Sequence, residues 1–208
     1  MLARIDHLVY ATPDLERGIE EIERMLGVRA TPGGQHPGRG TRNALVALGP
    51  TSYLEIIAPD PNQPPPKNPR SFGIDELKSS RLVAWAVKGE NLERWRKEAV
   101  RNGVAVGEVR SGSRRRVDGV ELSWQFTDPV ARIADGIVPF FIDWGSSPHP
   151  ALSAAHGATL INIRAEHPDP DHVQLLLNRL AVDLKVTWGS SPTLIATINC
   201  PRGRVELR

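Results

Sequence analysis

The sequence has one cysteine, Cys200, among 208 residues, so an internal disulfide framework is excluded and the chain suits a reducing compartment. It has no apolar run near the roughly 18 residues that a membrane span needs, and its first residues lack a basic stretch followed by a long apolar core. Together these absences point to a soluble, cytoplasmic protein with no membrane partner. An excess of one charge is missing as well: 26 basic against 24 acidic side chains leave +2, which demands no polyanionic partner. Aromatic residues make up only 5%, and the most basic run, residues 110–119 (RSGSRRRVDG), has none interleaved. It reads as a solvated hairpin tip with Asp118-Gly119 as its turn, not as a nucleic-acid contact. What the chain does have is 40% apolar residues, enough to build a core.

One pattern is written three times. In the first copy, residues 5–10 alternate, with Ile5, His7 and Val9 on one face and Asp6, Leu8 and Tyr10 on the other, as in a strand. Leu15, Ile19, Ile22, Met25 and Leu26 then recur at helical spacing, with Asp14 placed to cap the helix and Gly27 to end it. Strands are expected near Val28, from Asn43 and from Ser52, which makes residues 1–60 a βαβββ module. Residues 61–80 are rich in proline and polar side chains and read as a linker. The order restarts over residues 81–150: a shift of 77 carries Asp14 onto Asn91, the expected cap of the second helix, and His7 onto Ala84. A shorter third copy fills residues 151–208. A period of about 70 residues signals duplication, so a site can be complete in one copy and lost in another.

Opening on IDHLVYATPDL and closing on YLEII, the paired modules resemble the vicinal oxygen chelate superfamily, which includes glyoxalase I, extradiol dioxygenases and bleomycin-binding proteins. More narrowly, IDHLVYATPDLERG, GGQHPGRGTRNALV, YLEIIAPDP, PFFIDWGSSPHP and PRGRVELR resemble the glyoxalase-like domain family over nearly the whole chain. The resemblance implies an α+β fold in which βαβββ modules curl their strands into a cup, with helices outside. It also implies a single divalent metal ion, held by a histidine from the first strand and a glutamate from the last, at the positions of His7 and Glu55. Such a pair suits a borderline cation and leaves room for a ligand's oxygens. The second module departs from the pattern, since Ala84 and either Phe140 or Phe141 replace the other two donors. Further ligands would come from His36, His149 or Glu206.

The residues themselves leave alternatives open. His7 reads equally as a hydrogen-bonded core histidine. Glu55, flanked by Leu54, Ile56 and Ile57, must meet a cation, solvent, or an arginine such as Arg39 or Arg42. The glycine-rich stretch from Thr31 to Pro50 lacks the Lys-Ser/Thr ending of a phosphate loop. As a cup rim it would offer Arg39, Thr41 and Asn43 to an oxygen-rich small molecule, with the alternative that its arginines are simply solvated. His36 reads as a ligand, a general base or a turn residue. His149 is a candidate acid-base group near Asp143, although its surroundings are rich in turn formers. Trp124, Phe126, Phe140 and Phe141 are candidates for an apolar wall, or plain core. Cys200 reads as a packed thiol. Function therefore divides between a metal-dependent lyase, isomerase or dioxygenase and a non-catalytic binder that has lost its metal. The third module is expected either to cover the first pair or to pair with a second copy in a homodimer.

Overall fold

The computed structural model describes residues 4–116 and 119–208; Asp118, half of the expected hairpin turn, lies outside them. Strand β1 (Ile5–Ala11) is buried throughout and leads into helix α1 (Leu15–Leu26). The Asp14 side chain accepts from the Arg17 amide, and Gly27 closes the helix in the left-handed region at φ 72°. This is the start and stop that the sequence predicts. Strands β2 (Thr31–His36), β3 (Thr41–Gly49) and β4 (Ser52–Pro59) complete the first module. Val28 lies outside any strand, in contrast to the expectation. The strand is instead the glycine-bearing Thr31–His36 segment, because Gly33 and Gly34 let another element approach where a side chain would block it.

The second module repeats the order with β5 (Arg81–Lys88), α2 (Leu92–Arg101), β6 (Val109–Arg115), β7 (Glu121–Thr127) and β8 (Phe140–Asp143). Asn91 stands before α2 as expected but sits at φ 50° and forms no side-chain cap bond. The eight strands close into one barrel in the order β1-β4-β3-β2-β6-β7-β8-β5. The two modules meet along two seams. The β1/β5 seam is a long antiparallel ladder, whereas β2 and β6 share the single pair Gln35↔Arg115.

Strands β1, β3, β4, β5 and β8 are largely buried on both faces, which is why they read as nearly continuous apolar runs, whereas β2, β6 and β7 are partly exposed. Val9, Ala11, Ile57, Ala84, Ala86 and Phe140 face the interior. Leu8, Tyr10, Ile56, Trp85 and Phe141 face outward into a second core beneath α1 and α2. The third module supplies β9 (Thr159–His167), α3 (Pro170–Arg179), β10 (Lys185–Trp188), β11 (Thr193–Cys200) and β12 (Gly203–Leu207), with sheet order β10-β9-β11-β12. Its Ile163, Ala165, Leu194, Ala196 and Ile198 join that outer core. Backbone bonds from Leu82 to Arg208 (3.0 Å) and from Ala47 to Ala155 (2.8 Å) tie it down. The sheet left without a partner by the sequence thus finds one on the outside of the barrel. Each large aliphatic side chain buried there contributes about 1.5–3 kcal/mol.

Residues 61–80 do more than link. A 3₁₀ segment, Ser71–Glu76, drops Phe72 and Ile74 into the barrel mouth, where they join the interior cluster. Phe72 adopts φ 66°, a strained conformation for a non-glycine residue, held by packing against Phe140. No helix among the described residues is long and apolar enough to cross a membrane.

Candidate functional site

The cup inside the barrel encloses about 670 Å³ including its open mouth. His7, His36, Asn43, Tyr53, Glu55 and Arg114 form its polar floor; Phe72, Trp124, Phe126, Phe140 and Trp144 are among its walls. Three sequence candidates converge here. His7 Nε2 lies 3.9 Å from Glu55 Oε2, and His36 Nε2 lies 3.8 Å from Glu55 Oε1.

His7 owes its orientation to a residue that sequence reasoning missed. A register shift between Ile5 and His7 in the β1/β5 ladder breaks the strict alternation. Ile5 therefore packs with Leu8 and Tyr10 in the outer core, in contrast to its expected place beside His7 and Val9. The same shift leaves Asp6 fully buried next to His7. Asp6 accepts from His7 Nδ1 (2.7 Å), His149 Nε2 (3.1 Å) and Trp144 Nε1 (3.2 Å). Burial alone would raise the Asp6 carboxyl, but the bonds from His149 and His7 outweigh it and hold the group well below the ordinary carboxylate range. With Nδ1 held by the Asp6 carboxylate, the Nε2 atom of His7 is turned toward Glu55. Tyr53 stacks on the His7 ring at 4.7 Å, and Phe140 meets its edge at 5.4 Å.

Asn43 joins the rest. Its Nδ2 donates to Glu55 Oε1 (2.6 Å) and faces His36 Nε2 at 3.4 Å, while its Oδ1 accepts from Arg114 Nη1 (3.1 Å). With Asn43 donating, His36 Nε2 is an acceptor and its Nδ1 carries the proton to Thr41 Oγ1 (2.9 Å). Burial lowers the His36 pKa to about 4, although Glu55 acts in the opposite direction. The ring is neutral at neutral pH.

The other candidates fall elsewhere or in altered roles. Asn43 and Thr41 are interior supports, buried beneath the rim they were expected to line. Arg39 lies at the mouth, its guanidinium 4.6 Å from the centre of the Phe126 ring. Trp124 lines the cup, edge-on to His36 at 6.2 Å. Phe141 does not line it: β8 alternates, so Phe140 and Ile142 point inward while Phe141 stacks outside on Trp95 at 3.5 Å. His149 sits behind His7 and pairs with Asp6; the expected partner, Asp143, instead accepts from the Gly145 amide. Glu206 binds Arg164 on the third sheet, far from the cup in the fold. Arg114, expected at a solvated tip, is 2% exposed.

The ladders also decide between Phe140 and Phe141 as the counterpart of Glu55. Glu55 pairs with Val9, and Phe140 pairs with Ala86, the residue 77 positions after Val9. Ala84 and Phe140 therefore stand where the second module would supply its donors.

Residues 5–181 match the glyoxalase-like domain family. The chain belongs to that family. A hypothetical protein from Staphylococcus aureus shares this fold at a TM-score of 0.71 and 13% identity, over 92% of this chain and 89% of that one. Methylmalonyl-CoA epimerase from Mycobacterium tuberculosis aligns at 0.45 and 20% identity, over 72% and 91% of the two chains. The Streptomyces coelicolor epimerase in complex with 2-nitronate-propionyl-CoA aligns at 0.48 and 18%, over 69% and 98%. No curated protein matches the chain. The glyoxalase-like resemblance read from the sequence stands, as does the curved, cup-like sheet it implied.

The donor chemistry of this glyoxalase-like cup bears on the superfamily's metal. Among the described residues no group of three His, Cys, Asp or Glu side chains forms a ready metal site. The Asn43 amide occupies Glu55 Oε1 and stands against His36, so His7 with Glu55 is the pair in place. That pair fits a divalent cation. A bare imidazole nitrogen and a carboxylate face each other beyond hydrogen-bond distance, and a second carboxylate fixes the imidazole from behind.

Proposed function

We propose that the cup binds a small oxygen-rich organic molecule and acts on it, in a reaction of lyase, isomerase or dioxygenase type, with His7 and Glu55 holding one divalent cation. The observation that carries the reading is the Asp6–His7–Glu55 arrangement, in which a fully buried carboxylate holds His7 Nδ1 at 2.7 Å and so turns His7 Nε2 toward Glu55. When bound, such a cation would polarise an oxygen of the ligand.

The chain's own residues do the rest. Tyr53 and Phe140 clamp the His7 ring. Phe72 and Ile74 narrow the mouth with apolar surface, which limits the water around the polar contacts inside. His36, neutral and with Nε2 accepting, is placed to receive a proton from a ligand lying against Glu55. His149 acts through Asp6 and is a positioning residue.

A second reading has its own support. Ala84 and Phe140 give the facing half of the cup an apolar surface, as suits a binder that has dispensed with metal.

Metal titration separates the two. Chelator-stripped protein is heated with manganese, iron(II), nickel or zinc. A specific site filled at a thousand times its Kd stabilises the fold by about 4 kcal/mol, a rise on the order of 10 °C in Tm for a chain of this size. His7→Ala and Glu55→Ala should each abolish the rise. Intact protein that none of the four ions shifts leaves the binder reading; equal shifts in both variants remove these residues from the metal.

A further inference from the structure

We infer that Arg114 is the anion-recognising residue of the cup, and that the ligand carries a carboxylate on an aromatic or apolar body. Arg114 is 2% exposed and lines the cavity, yet among the described residues its one hydrogen bond goes to the neutral Asn43 Oδ1, and no carboxylate reaches ion-pair distance. A guanidinium has five donors, and burying it without a counter-charge is costly. Glu55 offsets the charge only indirectly, because its carboxylate is already committed to Asn43.

A purely structural role does not account for it. Arg114 fills the thin seam between β2 and β6, where Gly33 leaves room: a Cβ there would collide with Asn43 Oδ1 and Arg114 Nη1. An apolar side chain would seal that seam without the desolvation cost. The unused donors match the planar, two-oxygen geometry of a carboxylate. Arg39 adds a second cation at the mouth, and Glu55 is the carboxylate that the described lining sets against the two. Phe72, Trp124, Phe126 and Phe140 supply the surface for the ligand's body.

This inference rests on the cup being a ligand site and not on the cation, so its test uses chelator-treated protein. Phenylacetate and phenylacetamide, which share a ring and differ in charge, are titrated separately while the intrinsic tryptophan fluorescence is followed; of the five tryptophans, Trp124 and Trp144 stand at the cavity wall. Wild type should bind the acid at least about tenfold more tightly than the amide. Arg114→Gln, which retains a donor for Asn43, should erase the preference; Arg114→Lys should keep part of it, and Arg39→Gln most of it. Equal affinity for the two probes in wild type, a preference that survives Arg114→Gln, or no binding of either probe overturns the assignment. Because wild type supplies the primary comparison, poor folding of a variant leaves the test standing. Failure of the metal reading shows separately, as an unchanged Tm with added ions alongside an intact preference for the acid.

Discussion

His36 should impose a measurable pH dependence on stability. It is 6% exposed, and burial holds its pKa at about 4 against 6.5 in an unfolded chain. Above pH 6.5 neither state binds the proton, and the buried neutral ring costs nothing. As pH falls below 6.5 the unfolded chain takes up a proton that the folded protein refuses, so stability declines until pH 4, where the folded state binds it too. The two values correspond to a loss of about 3 kcal/mol between pH 7 and pH 4, about 2 kcal/mol of it by pH 5. Urea unfolding of chelator-treated wild type and His36→Gln at pH 7, 6 and 5 isolates this contribution, since the other titrating groups are common to both. Wild type should lose about 2 kcal/mol more than the variant from pH 7 to pH 5. Parallel curves would refute a neutral, desolvated His36, and with it the argument that its Nε2 lone pair is available.

Two further substitutions probe the supports. Asp6→Asn replaces an acceptor of three N–H groups with a side chain that brings donors of its own, and should cost about 3–5 kcal/mol in denaturant unfolding. The Asp6 carboxyl titrates below its ordinary value, so this deficit should be full above about pH 4 and should shrink below it as wild type loses the same contribution. Phe141→Ala should cost about 3–5 kcal/mol by leaving a cavity against Trp95, while the affinity for phenylacetate stays as in wild type. A changed affinity at full stability would return Phe141 to the cup wall.

How much of the site was legible depended on how local each cause was. His7 and Glu55 could be singled out because the family pattern and strand alternation put them on two strands facing one side, and the neighbouring strands β1 and β4 bring them to 3.9 Å. Asp6 could not, because an irregularity in the β1/β5 ladder decides its direction, and ladder register belongs to the partner strand. Phe140 and Phe141 differ only in parity, which depends on where β8 starts. Arg114 looked like one member of a charged tip; its burial requires Gly33 on a strand some 80 residues earlier. A glycine within a strand did carry a signal, that of close approach by another group, but not which group would approach.

The sequence by itself determined the repeated βαβββ order and the capped first helix, because periodicity, capping and turn chemistry act over a few residues, while its resemblance to a known family pointed to the family and to His7 with Glu55. The tertiary structure alone decided which way His7 turns, that the proline-rich segment covers the mouth, that the third sheet packs on the barrel, and that a guanidinium is buried in a seam. Those outcomes come from contacts between segments 40 to 140 residues apart, such as Trp144 with Asp6, which no local pattern records.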